Sequence, residues 1–284
     1  MPQQFAVELV HAFSSETCAG NPAAVVLFET FAPTELLQQL AAATGQPVTV
    51  MLCPAHNGYQ IRWFSSSTEI NLCGHGTLAA AAVLFNQQKN SSQSNELVFY
   101  SPFGNITVAK QQQHFCLTLH AFALQALALE SLAAGIIQGA LRAASSRDLI
   151  LEFASAAEVA AYQPDFAAIC LLPWHAVIVT AASAQGGYVF RYFAPKIGIN
   201  EDPATGSAHC SLMPYWASRL GHGPIQARQL SATGGEFVLQ LLPQSCDDSG
   251  DAVDMVQIAA MARLAGVSQL LLPEASSGAA PLRC

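Results

Sequence analysis

The stretch NLCGHGT at residues 71–77 decides the fold of this 284-residue chain, because it carries a thiol, an imidazole and two glycines where a strand gives way to a helix. The segment leading into it occurs twice. GYQIRWFSSSTEIN from Gly58 aligns without a gap on GYVFRYFAPKIGIN from Gly187, with six identities in fourteen positions, where average composition predicts roughly one. The sequence therefore indicates an internal duplication.

Each copy continues into a turn of small residues and then an apolar stretch of helical character. One extra residue in the second copy brings Gly76-Thr77 opposite Gly206-Ser207. We predict a strand, a tight turn and a helix N-terminus in both copies, with Thr77 and Ser207 as N-caps. The first N–H groups of a helix have no partner within it, so each end is suited to stabilise a carboxylate or an enolate. The alternative is that these turns only cap helices.

Composition limits the classes of function that the chain can have. Hydrophobic residues make up 52% and charged residues 11%, with a formal net charge of −8. Eleven scattered Lys and Arg residues form no basic stripe, which argues against a nucleic-acid partner. The longest apolar runs fall short of the roughly 20 residues that span a membrane, and the N-terminus lacks the pattern of a signal peptide. We expect a cytoplasmic protein without a membrane partner.

Cysteine and histidine usage predicts neither disulfides nor a metal site. The chain contains eight of each, with no C-x-x-C pair and no histidines at i, i+4 spacing. Free thiols in a reducing compartment are the simplest account of the cysteines. The spacing of ligands typical of zinc sites is absent, so we expect no metal site.

The order of elements predicts two domains, because a chain of this length exceeds a typical single core. We place the first at residues 1–115 and the second at 116–263, with a C-terminal strand near 264–284 as a candidate to complete the first. Strands and helices alternate with hairpin-length links, which favours an α+β fold with mixed sheets wrapped on helices. The segment 124–144, rich in Ala and Leu, is predicted to be a helix broken at Gly135.

Three groups of residues together resemble one known family. They are GNPAAVV at 20–26, RWF at 62–64 with LCGHGT at 72–77, and FAP at 193–195 with EDPATGSAH at 201–209. On these motifs the chain resembles the PhzF-like phenazine-biosynthesis proteins, whose fold is that of diaminopimelate epimerase. The resemblance implies two similar domains, each a strongly twisted mixed sheet rolled around a central helix, with the active site between them and a homodimeric assembly.

The resemblance also implies a chemistry, which is movement of a proton at carbon without a cofactor. It makes the chain an isomerase or epimerase of a small anionic, carboxylate-bearing metabolite. The base of PhzF-like enzymes is a Glu after the first long helix, and the matching position here is Gln46. An amide cannot accept and return a proton in the neutral range. The alternative is therefore a non-catalytic small-molecule binder or a structural dimer on the same scaffold.

His75 and Asp202 remain as candidates for acid–base work in the cleft that the resemblance outlines, beside the Gln46 position. Cys73 matches a catalytic Cys of diaminopimelate epimerase-type racemases, but its partner position is Thr205, which disfavours a two-thiol mechanism. A basic residue of the family is replaced by Thr233, which removes one candidate for holding a carboxylate. The residues implied to contact substrate are Asn21, Cys73, Gly74, Gly76, Thr77, Thr205, Gly206 and Ser207.

Overall fold

The computed structural model describes residues 3–87, 94–246 and 252–272, and this part of the chain forms seventeen strands and six α-helices. The strands are β1 (Gln3–Ala12), β2 (Asn21–Leu27), β3 (Thr49–Ala55), β4 (Gly58–Phe64), β5 (Glu69–Ile70), β6 (Glu96–Ser101), β7 (Gly104–Gln111), β8 (His114–His120), β9 (Gln125–Leu127), β10 (Arg142–Ser145), β11 (Leu149–Glu152), β12 (Val177–Ala182), β13 (Tyr188–Phe193), β14 (Ile225–Gln229), β15 (Gly235–Cys246), β16 (Ala252–Ala260) and β17 (Ala262–Leu272). The helices are α1 (Thr34–Thr44), α2 (Gly74–Gln87), α3 (Ala134–Ile137), α4 (Ala156–Ala161), α5 (Phe166–Leu171) and α6 (His209–Leu220).

The strand pairing repeats itself in the two halves of the chain. In the first half the neighbours run β17, β1, β2, β3, β4, β6, β7, β8, and only the pairs β2–β3 and β4–β6 are parallel. In the second half they run β9, β10, β11, β12, β13, β14, β15, β16, and only the corresponding pairs β11–β12 and β13–β14 are parallel. This matching order supports the duplication that the sequence indicates.

The two halves are joined by a pair of strands at the end of each series. β8 and β16 pair antiparallel, with Leu117 opposite Ile258. The boundary predicted at 115/116 falls inside β8, so a strand that pairs with both halves crosses it. β17 pairs with β1, which brings the end of the described chain back to the first half, while residues 273–284 of the proposed completing strand lie outside the described residues. The division into 1–115 and 116–263 stays a prediction.

A buried helix stands at the centre of the first half. All residues of α2 from Gly76 to Phe85 are buried, and the helix contacts strands β1, β2, β3, β7, β8 and β17. A helix that is apolar on every side must be enclosed, and the run of alanines in LAAAAVLF lets the surrounding sheet approach closely. α6 takes the same place after β13 in the second half, where it packs on β15 and β16. The fold is thus the predicted α+β arrangement of two similar units.

The described part of the chain contains no helix both long enough and apolar enough to cross a membrane. The same residues contain no group of three or more His, Cys, Asp or Glu side chains that could hold a metal ion. Six cysteines of the described part of the chain are free thiols; they are Cys18, Cys53, Cys73, Cys116, Cys170 and Cys210.

The predicted helix over 124–144 is wrong. This segment instead forms β9, a 3-10 turn, the four-residue α3 and β10, and its left-handed break lies at Gly139 (φ +85°) rather than at Gly135. Helix propensity of Ala and Leu is a weak preference that tertiary pairing overrides. Here β10 pairs with β9 and β11, in the place that β1 takes in the first half.

The predicted capping of the central helices is also wrong in its detail. α2 begins at Gly74, so Thr77 lies inside it, and the Thr77 hydroxyl donates to the Cys73 carbonyl at 2.8 Å. In the second half a 3-10 turn over Gly206–Ala208 precedes α6, which places Ser207 inside that turn rather than at its cap. The sequence anticipated neither α5 nor β14.

Candidate active site

Gly76, in the first turn of α2, is a glycine that no other residue could replace without displacing its neighbours. A Cβ on Gly76 would lie 2.9 Å from Val50 Cγ2, 3.1 Å from Trp63 Cδ1 and 3.2 Å from Cys73 Sγ. These contacts are closer than real Cβ atoms tolerate, and Val50 and Trp63 belong to the packed core. The start of α2 therefore lies directly against β3 and β4, and Cys73 lies at the N-terminal end of α2.

Cys73 and His75 form a neutral pair at this helix start. The Cys73 sulfur lies 3.3 Å from His75 Nδ1. Burial raises the pKa of the Cys73 thiol to about 12; backbone N–H groups of Gly76 and His75 oppose the rise, and the charge of Asp202 adds to it. Burial lowers the pKa of His75 to about 4. At neutral pH the turn thus carries a thiol and an uncharged imidazole.

Asp202 supplies the charge that faces this turn. It follows β13, and its side chain accepts hydrogen bonds from Asn21 Nδ2 at 2.8 Å and from Thr205 Oγ1 at 2.7 Å. Burial raises the pKa of Asp202 to about 6, against the lowering effect of Thr205, Asn21 and the Ala204 N–H. Asp202 and His75 are both partly exposed, so a small molecule can reach them.

Gln229 fixes the loop that carries Asp202. Its Oε1 accepts from the Thr205 N–H at 2.6 Å, and its Nε2 donates to the Asp202 carbonyl at 2.6 Å. Ser231 adds a hydrogen bond from its hydroxyl to the Pro203 carbonyl. Sequence reasoning treated this stretch only as the place where a basic residue is missing. The buried Gln229 was its usable signal, because a fully buried amide needs partners.

A loop of the first half reaches into the second at the same place. Phe13 has a positive φ of 62°, and a Cβ on Gly206 would lie 2.8 Å from its ring. Farther along the loop, the Ala19 N–H donates to the Thr233 carbonyl and the Gly20 N–H donates to the Gly234 carbonyl. This loop delivers Asn21 to Asp202, so the site contains residues of both halves.

Arg147 lies beside the second helix start, and no motif in the sequence indicates it. Its Nη2 donates to Asp148 Oδ2 at 2.9 Å and to the Tyr192 hydroxyl at 3.2 Å, and it lies 3.5 Å from Ser207 Oγ. The guanidinium carbon is 5.1 Å from the centre of the Phe122 ring. No basic residue stands at Thr233, but a cation is present near the site.

Gln46 lies just before β3, on the edge of the same region. The parallel register of β2 and β3 pairs Ala24 with Thr49, which follows Gln46 by three residues. The Gln46 backbone N–H donates to Thr44 Oγ1 at 3.3 Å, and the residue is partly buried.

The remaining candidate residues differ in how far they are exposed to solvent. Thr77 is fully buried, and its hydroxyl is engaged with the Cys73 carbonyl. Gly74 and Ser207 are partly exposed. A separate open cavity of about 520 Å³, lined among others by Tyr188, Arg228 and Glu236, contains none of the candidate residues. We locate the site by its network of hydrogen bonds, because the titratable groups converge there.

Known proteins similar to this chain share most of its length. The profile of the family described as phenazine biosynthesis-like protein matches residues 10–259. An uncharacterized isomerase of Vibrio cholerae is 38% identical over 82% of this chain and 83% of its own. Another, of Pseudomonas aeruginosa, is 39% identical over 86% and 94%. The crystal structure of a PhzF family phenazine biosynthesis protein from Enterococcus faecalis superposes with a TM-score of 0.83 at 32% identity, covering 95% of this chain and 100% of the other.

Proposed function

Because the chain belongs to the phenazine biosynthesis-like (PhzF) family, we propose that it is a cofactor-independent isomerase or epimerase. It moves a proton at carbon of a small carboxylate-bearing metabolite. One observation carries the proposal, which is the partly exposed Asp202 carboxyl held by hydrogen bonds from Asn21 Nδ2 and Thr205 Oγ1; burial raises its pKa to about 6. A general base works best when its pKa lies near the operating pH.

Asp202 is the base in this proposal. When it is ionised it removes a proton from the carbon next to the substrate carboxylate; the C–H electron pair passes into an enolate, and the proton resides on Asp202. The N–H groups at the second helix start, at Gly206 and Ser207, are suited to stabilise the negative charge that develops. His75, with a pKa of about 4, is a much weaker base.

The pKa values of Cys73 and Asp202 favour a mechanism with one base rather than two. A proton taken from Cys73, at about 12, and placed on Asp202, at about 6, crosses a gap of about six pKa units. At 1.36 kcal/mol per unit this transfer costs roughly 8 kcal/mol. We therefore propose that Asp202 is the single base, that the proton it holds exchanges with solvent before it is delivered to a second carbon, and that Cys73 stays a thiol that shapes the helix start.

The alternative function is a non-catalytic binder on the same scaffold, which Gln46 at the family's base position favours. Solvent exchange separates the two. The protein is incubated in deuterated water with a panel of amino acids and cyclic hydroxy acids, and deuterium at carbon is read by mass spectrometry. The isomerase incorporates deuterium into at least one acid, and binding of an acid without any incorporation would establish the binder.

A further inference from the structure

The two helix starts differ in what occupies them. At the first, the Cys73 sulfur lies 3.3 Å from His75 Nδ1 and 3.2 Å from the position that a Cβ on Gly76 would take. At the second, Ser207 has the guanidinium of Arg147 as its neighbour at 3.5 Å. An anion at the first start must compete with a sulfur atom, whereas at the second it meets a cation. The difference favours the second start for an acidic group.

Arg147 is held rigidly and yet remains accessible. Its Nε and Nη2 both donate to the Asp148 carboxylate, which is fully buried, and its plane lies over Phe122. The Arg147 side chain itself is 35% exposed. None of the hydrogen bonds found among the described residues uses its Nη1, so that nitrogen keeps two donors. Asp148 therefore orients the guanidinium through Nε and Nη2 and leaves Nη1 to donate to a ligand.

Tyr192 connects this guanidinium to the proposed base. Its hydroxyl accepts from Arg147 Nη2 at 3.2 Å. Burial raises the pKa of Tyr192, and the charges of Asp148 and of Asp202 raise it further. The Asp202 N–H donates to the Tyr192 carbonyl at 3.0 Å, so Arg147 and Asp202 both contact Tyr192. Ser207 follows Asp202 in the same segment, in which the Thr205 hydroxyl donates to Asp202 Oδ2 at 2.7 Å, so a group bound at Arg147 Nη1 and Ser207 lies on the segment that carries the base.

We propose that Arg147 is a substrate-binding residue, which holds the carboxylate of a small anionic substrate through Nη1 together with the Ser207 hydroxyl. This assignment rests on the proposed function and adds to it the group that selects acids over neutral analogues. A guanidinium binds carboxylates with charge-assisted, directional hydrogen bonds that are roughly twice as strong as neutral ones. A purely structural Arg147 would only fix the loop through Asp148.

Acetate and acetamide are suitable probes, because they match in size and differ in charge. Each is titrated into ¹⁵N-labelled protein at constant ionic strength, and the amide signals of Gly206 and Ser207 are followed by NMR. We expect saturable shifts with acetate and none with acetamide. In Arg147→Gln the dissociation constant for acetate rises at least tenfold, and Arg147→Lys recovers part of the affinity. The matched control is Arg142→Gln, since Arg142 is a 64% exposed cation in β10, and it changes the constant less than twofold.

Removal of Arg147 alone leaves the buried Asp148 without its ion pair, which endangers folding. The double variant Arg147→Gln/Asp148→Asn removes both charges together and gives the same test in a neutral pair. Acetate affinity equal to wild type in either folded variant, or equal shifts with acetate and acetamide, would overturn the proposal. If acetate binds through Arg147 but no acid exchanges deuterium, the anchor stands and the isomerase fails. Exchange without acetate binding at Ser207 gives the reverse result.

Discussion

The side-chain amide of Asn21 donates a 2.8 Å hydrogen bond to the carboxylate of Asp202, so a residue from the first half of the chain sets the protonation of the proposed base in the second. The same amide also donates to the Ala204 carbonyl at 2.9 Å. The site is consequently assembled only when both halves are in place.

This bond predicts the direction in which the Asp202 pKa moves when it is lost. Asn21 lowers the pKa of Asp202, although burial holds it at about 6. We expect Asn21→Ala to raise that pKa by roughly one unit, since a hydrogen bond to the charged form favours ionisation. The measurement is a ¹³C NMR titration of the Asp202 carboxyl in both proteins. A pKa that falls in Asn21→Ala would show that the amide does not stabilise the carboxylate.

Asp202 should also lower the stability of the protein at neutral pH. Its pKa is about 6 in the folded chain and 3.8 unperturbed; the folded state therefore binds more protons between these values, and stability falls as pH rises from about 4 to 6. Asp202→Asn removes this penalty, and we expect it to unfold in urea with a free energy higher than wild type by about 2 to 3 kcal/mol at pH 8. At pH 3.5 the two proteins should agree. A variant less stable than wild type at pH 8 contradicts the burial of an ionised carboxylate.

The two glycines of the helix start should respond differently to the same substitution. A Cβ at Gly76 meets three side chains at 2.9 to 3.2 Å, whereas a Cβ at Gly74 meets only Leu117 Cδ2 at an ordinary 3.6 Å. We expect Gly76→Ala to destabilise by about 1 to 3 kcal/mol through overpacking, and Gly74→Ala to change the stability by about 0.5 kcal/mol or less. Urea unfolding of the pair is the measurement. Equal effects would mean that α2 can shift away from Val50 and Trp63.

Gln46→Glu should raise the rate of deuterium incorporation into a substrate. The resemblance places the family's base at this position, and general-base assistance is worth about 10² to 10⁴ in rate. Gln185→Glu is the control, because it adds the same charge to an exposed turn. An unchanged rate in Gln46→Glu would indicate that the new carboxylate does not face the cleft, or that Asp202 already supplies all of the assistance.

Most of the fold could be predicted from the sequence because the segment that precedes each central helix occurs twice. The six identities between the copies starting at Gly58 and Gly187 locate equivalent strands, β4 and β13, which pair with their neighbours in matching orientations. Segment 124–144 escaped prediction because its composition favours a helix, while its strands β9 and β10 pair with each other and β10 also pairs with β11, which comes later in the chain. Strand pairing is a property of the whole sheet, and local propensity carries little of it.

The candidate site could be predicted from the sequence only in part. The sequence pointed to Asp202, His75 and Asn21 through their motifs, but the hydrogen bond between Asn21 and Asp202 joins residues 181 positions apart. Arg147 stands in no motif, and only the packing of its loop against Ser207 and Tyr192 reveals it. Charges brought together by the fold are not visible in a linear pattern.

The most direct test of the central claim, that Asp202 is the base, is the rate of deuterium incorporation by Asp202→Asn, measured from pH 4.5 to 8.5 with an acid that wild type exchanges. The control is Asp165→Asn, an exposed N-cap of α5 where Asn caps equally well. We predict that wild type and the control gain activity with a midpoint near pH 6, and that Asp202→Asn is slower by at least about 10² at pH 8, with a gap that narrows toward pH 4.5. Wild-type exchange rates in folded Asp202→Asn would contradict the account.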